Sequence, residues 1–133
     1  MLTGTLARLR RQGVAVAVDD FGTGYSSVSR LADRHWDALK IDRSFVTGIA
    51  DDPARAGVVH AMLALARALQ LHVIAEGVED EPTLAKLREL GCDAAQGFLF
   101  TKPVGAAEIS RMIEMSPEWN AEPEPAGEIA AVA

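Results

Sequence analysis

A single cysteine, Cys92, among 133 residues excludes a disulfide framework, so nothing in the chain points to an oxidising compartment. No apolar run approaches the ~20 residues that span a bilayer. The basic stretch within Met1–Gly13 lacks the apolar core of an export signal. A cytoplasmic chain without a membrane segment is therefore expected. Positive charge is also short: 13 Lys and Arg stand against 19 Asp and Glu, for a net charge of −6. No basic stripe is available to neutralise phosphates, which argues against a nucleic-acid polymer as partner.

What is present is an ordinary globular composition, 49% hydrophobic and 24% charged. That excludes disorder throughout, and the length suits one domain. Four acids, Glu118, Glu122, Glu124 and Glu128, fall after Ser116 with no Lys or Arg among them. Pro117, Pro123 and Pro125 interrupt the same stretch. Residues 116–133 are expected to form an acidic, Pro/Ala-rich disordered tail, and residues 1–115 the folded part.

Strand and helix signals alternate along that folded part. A basic helical stretch, 6–12, leads to the apolar run Val14–Val18, which suits a strand buried on both faces and stopped by Asp19 and Asp20. A helix is expected over 26–35 and a short strand over Ala38–Ile41. Asp52 followed by Pro53 supplies an N-cap and a first-turn proline for the longest helix. Its apolar face is Val58, Val59, Met62, Leu63, Ala66 and Leu69. A strand over His72–Ala75, a helix over 82–90 closed by Gly91, a short strand over 94–96 and a last helix over 106–115 complete the pattern. Such units predict a parallel α/β sheet.

Polar residues terminate each strand: Asp19 and Asp20, Lys40 and Asp42, Glu76, then Gln96. In a parallel sheet these ends share one face, where α/β folds place their sites. Asp19, Asp20 and Glu76 would repel one another unless a cation or proton compensates. Oxygen ligands without Cys or His companions suit Mg²⁺ or Mn²⁺, and paired ions serve phosphoryl transfer. Lys40 could hold a water or a phosphate oxygen, and Gln96 could read a base edge. Plainer readings stand beside these: a turn cap for Asp19 and Asp20, a surface ion pair for Lys40, a loop cap for Glu76, a structural role for Gln96. His35, His60 and His72 show no ligand spacing, and Cys92 suits a small buried apolar position. The Gly22–Ser27 loop with Asp42 about twenty residues on also has the outline of a dinucleotide fingerprint. Ser27 stands where its third glycine would be, and two aspartates beside the turn oppose a pyrophosphate.

The segments Asp19–Ser27 (DDFGTGYSS), Lys40–Val46 (KIDRSFV), Ile74–Glu79 (IAEGVE) and Gln96–Pro103 (QGFLFTKP) together resemble the EAL-domain family of cyclic-di-GMP phosphodiesterases, in the family's order. The resemblance covers about residues 6–115. It implies the C-terminal half of a (βα)₈ TIM-type barrel, strands five to eight, that hydrolyses cyclic di-GMP to linear pGpG with Mg²⁺ or Mn²⁺. It implies Asp19, Asp20 and Glu76 as metal ligands, Lys40 and Glu76 as catalytic, and Gln96 and Glu79 as substrate-binding. The Phe21, Gly22, Thr23 and Gly24 loop would order the metal site and contribute to homodimer contacts. A whole barrel of this type needs roughly 250 residues. The Glu-Ala-Leu tripeptide is absent, and the Asn and second Glu of the family's metal shell have no counterpart before Asp19. Met1 falls in what resembles the fourth helix. The chain alone is thus expected to turn over little or nothing, with a missing N-terminal half or sensor domain as partner. The alternative is a non-catalytic module that binds cyclic di-GMP or another protein.

Overall fold

The computed structural model describes residues 2–23, 31, 36–115 and 130–131. One parallel sheet runs in the order β1 (Ala17–Phe21), β2 (Ala38–Ile41), β3 (His72–Ala75), β4 (Ala94–Ala95) and β5 (Ala130–Ala131). Helix α1 (Leu2–Arg11) precedes it. After β2 come α2 (Arg43–Val46) and α3 (Pro53–Ala68), after β3 α4 (Glu81–Leu90), and after β4 α5 (Ala106–Met115). Among the described residues no helix is long and apolar enough to cross a membrane.

The helix boundaries follow local chemistry. Asp52 caps α3, its carboxylate accepting from the Ala54 and Arg55 amides at 2.9 and 3.2 Å, with Pro53 in the first turn. Asp80 caps α4 through the Thr83 amide at 2.7 Å, and Gly91 closes it in the left-handed conformation. Alternation along the strands then sorts the side chains. Leu39, Ile41, Val73 and Ala75 are fully buried in the core that α3 and α4 share through Val59, Leu63, Leu84 and Leu87. Lys40, Ile74 and Glu76 fall on the other sheet face, which is only half buried.

Three expectations change. The first strand is Ala17–Phe21, not Val14–Val18. The Asp37 carboxylate accepts from the Val16 amide at 2.8 Å and the Asp37 amide donates to the Val16 carbonyl, leaving Val14 exposed outside the ladder. Pairing with β2 carries the strand through both aspartates to the buried Phe21. Second, Val58 is 46% exposed, because the inward stripe of α3 runs Ala56, Val59, Leu63, Ala66. Third, the turn α2 was not expected; Asp42 caps it, its carboxylate accepting from the Ser44 amide at 2.9 Å. The helix expected over 26–35 lies outside the described residues except for Leu31, which is buried. The same holds for the tail over 116–133, of which only Ala130 and Ala131 are described, paired with β4.

Cys92 is buried, its thiol donating to the Ala94 carbonyl at 3.3 Å. Burial pushes the thiol pKa up from 9.0 to about 11. Because the folded value is raised, its contribution to stability is complete below pH 9 and disappears as pH climbs through about 11. Alkylation of Cys92 at pH 8 should be slow in buffer and at least ~100-fold faster in denaturing urea. Equal rates in the two conditions would place the thiol at the surface.

Candidate functional site

The site begins with a break in the register of β1 and β2. Val18 pairs with Leu39 and Phe21 with Ile41, so Asp19 and Asp20 together oppose Lys40 alone. One extra residue on one strand is a β-bulge. In a regular strand two adjacent aspartates would point to opposite faces. Here Asp20 takes a positive φ of 52°, a region Asp tolerates better than most residues, and the alternation is broken. The Thr23 hydroxyl and amide donate to the Asp20 carbonyl at 2.8 and 3.2 Å, and the Asp20 amide donates to the Asp19 carboxylate at 2.9 Å. Gly22 follows at φ 98°, where a Cβ would stand 2.6 Å from the Phe45 ring and 2.8 Å from the Met62 methyl. The loop can press against α2 and α3 only with glycine there.

The bulge and the end of β3 bring carboxylate oxygens of Asp19, Asp20 and Glu76 within 4.8 Å of one another. Lys40 lies among them, ion-paired to Glu76 and 3.7 Å from Asp19. Its bond to Glu76 and the nearby Asp19 charge hold the ammonium above its ordinary pKa of 10.5, against the opposing effect of burial. It is charged at neutral pH. Three carboxylates against one ammonium leave the cluster negative. A carboxylate pair at this spacing repels by about 1 kcal/mol in water and about 3–4 kcal/mol at the effective dielectric of a protein surface. The lower figure suits Asp19 and Asp20, which are exposed. The donor set fits a hard divalent cation, Mg²⁺ or Mn²⁺: all oxygen, converging, with an opening to solvent.

Two other sequence candidates stand near this centre without joining it. Gln96 follows β4 as Glu76 follows β3, and the register Ala75–Ala95 sets them at neighbouring strand ends. Its backbone is fixed on both sides, the amide donating to the Ala75 carbonyl at 2.8 Å and the carbonyl accepting from the Val78 amide at 3.0 Å. Glu79 pairs instead with Arg43 at 3.2 Å, on the exposed rim. The sequence reading did not single out Arg43, and no spacing would have done so. Asp42 serves as a helix cap with its pKa lowered by the Ser44 hydroxyl and amide, not as a partner for a ribose. Gly24 lies outside the described residues.

The family model for the EAL domain matches residues 2–103. The cyclic di-GMP phosphodiesterase NbdA of Pseudomonas aeruginosa is 44% identical over 108 residues, 81% of this chain and 14% of NbdA. The crystal structure of the EAL domain of Mycobacterium smegmatis DcpA superimposes with a TM-score of 0.81 at 45% identity, over 86% of this chain and 51% of that one. A manganese and cyclic di-GMP complex of Klebsiella pneumoniae BlrP1 gives a TM-score of 0.69 at 34% identity, over 77% of this chain and 26% of that one. The chain thus spans a small fraction of the curated relative and about half of the solved domain.

Proposed function

Because the chain belongs to the EAL domain family, we propose that it carries one half of the metal site of a cyclic di-GMP phosphodiesterase domain. The observation that carries this reading is the convergence of Asp19, Asp20 and Glu76 around Lys40 at the strand ends. The fit of an all-oxygen donor set to Mg²⁺ or Mn²⁺ supports it, as does the manganese complex of the BlrP1 relative. When bound, such ions polarise the phosphoryl oxygens and supply a nucleophile at neutral pH. Three carboxylates are too few for either ion's octahedral shell, so the remaining ligands come from water, substrate or strands outside this chain.

The roles of the residues follow from charge and place. Asp19 and Asp20 hold ions on the bulge. Glu76 either ligates or takes the proton of the attacking water, and its bond to Lys40 keeps it oriented. The Lys40 ammonium stabilises negative charge as it builds on the scissile phosphate. Gln96, with a donor and an acceptor on one amide, suits the edge of a guanine. Glu79 and Arg43 form an exposed charged pair between the segments that follow β3 and β2.

The purified chain should bind Mn²⁺ through Asp19 and show no turnover of cyclic di-GMP to pGpG. Chromatography of nucleotide products beside an Asp19→Asn control checks this. Robust Mn²⁺-dependent hydrolysis would remove the requirement for a second half. Cyclic di-GMP binding without hydrolysis, abolished by Gln96→Ala, would select the binding-module reading instead.

A further inference from the structure

The two outer edges of the sheet differ. On β1 the edge is interrupted by the bulge and carries the exposed Asp19 and Asp20, features that discourage a strand from another chain. The β4 edge has neither defence. Ala94 and Ala95 are 1% and 0% exposed, with no charge and no irregularity in their pairing to β3. In a closed barrel of eight parallel strands every strand is paired on both sides. In this structure the outer side of β4 is taken by Ala130 and Ala131, parallel and in register with Ala94 and Ala95. Residues from beyond the last helix therefore occupy the edge at which a barrel would continue.

We propose that the Ala130–Ala131 segment is a removable edge cap, seated on β4 in place of a further barrel strand and closing that edge to strands from a second copy of the chain. The inference rests on the partial-barrel fold and not on hydrolysis. Buried backbone donors and acceptors must be paired, and on this side of β4 the segment supplies the pairing. Two pairs of alanines make a weak cap, since alanine is a poor strand former and the ladder is short. The cap is suited to closing the edge while remaining displaceable by a longer, β-branched strand.

Successive backbone N–H groups of a strand point to opposite sides, so the double variant Ala130→Pro/Ala131→Pro removes the donor that faces β4 whichever of the two carries it. In the full-length chain, hydrogen exchange in the peptide spanning residues 92–97 should accelerate at least ~10-fold. Sedimentation should show concentration-dependent self-association beyond that of the parent chain. Ala130→Val/Ala131→Val should slow the same exchange, because it raises strand propensity. An unchanged melting temperature confirms that the proline variant is folded. Unaltered exchange in both variants overturns the cap, and faster exchange with no added self-association overturns its guarding role. Neither readout involves metal or nucleotide, so a failure here is distinct from a failure of the phosphodiesterase reading.

Discussion

Asp20→Asn is expected to lower the Mn²⁺ affinity of the chain at least ~10-fold while leaving its metal-free stability little changed. Loss of a mere outer-shell partner costs a metal site ~10–100-fold, so loss of a ligand costs no less. Metal-free stability should change little, because asparagine keeps a side-chain oxygen that accepts hydrogen bonds while shedding repulsion of about 1 kcal/mol from each neighbouring carboxylate. Asparagine also tolerates the positive φ that Asp20 adopts. Asp20→Ala separates charge from conformation: it removes the same charge but costs about 1–2 kcal/mol in the left-handed region. Titration by electron paramagnetic resonance and thermal melts in chelator read the two quantities independently. Equal Mn²⁺ affinity in Asp20→Asn and the parent would take Asp20 out of the site. In a completed domain the same variant should lose hydrolysis by about 100-fold or more.

Gly97→Ala has the largest expected effect on folding. A Cβ at residue 97 would fall on the backbone oxygen and nitrogen of Val78, and no flexible side chain is there to move aside. Val78 is fully buried, and its amide is bonded to the Gln96 carbonyl, so the collision sits where the loops after β3 and β4 are joined. Separating them should cost about 3 kcal/mol, or roughly 10 °C in Tm. The same movement displaces Gln96, whose backbone bridges Ala75 and Val78, so the nucleotide contact proposed for it should weaken alongside. A Gly97→Ala chain that melts with the parent would mean that the two loops are not in contact.

The fold was legible wherever one local signal settled an element. Asp52 with Pro53 marks the start of α3, Gly91 marks the end of α4, and the apolar stretch His72–Ala75 is a strand as read. The convergence of Asp19, Asp20, Lys40 and Glu76 followed from strand ends alone, because parallel topology gathers them. The bulge did not, since register is a property of two strands and nothing in Val18–Phe21 fixes its pairing with Leu39–Ile41. The position of β1 was missed for a related reason. Val14 and Val16 have the right side chains, but Asp37 holds the Val16 amide before the ladder begins. Val58 shows the limit of periodicity: it adjoins the buried Val59, yet α3 turns it to solvent. The Arg43–Glu79 pair joins residues 36 apart, which no local pattern reveals.

Anomalous diffraction at the manganese edge, from crystals of the chain soaked in Mn²⁺, tests the central claim most directly. The account predicts a peak within about 2.0–2.6 Å of carboxylate oxygens from Asp19, Asp20 and Glu76, with the peak lost in Asp19→Asn. A manganese position elsewhere, or none beside these three residues at saturating Mn²⁺, would contradict it.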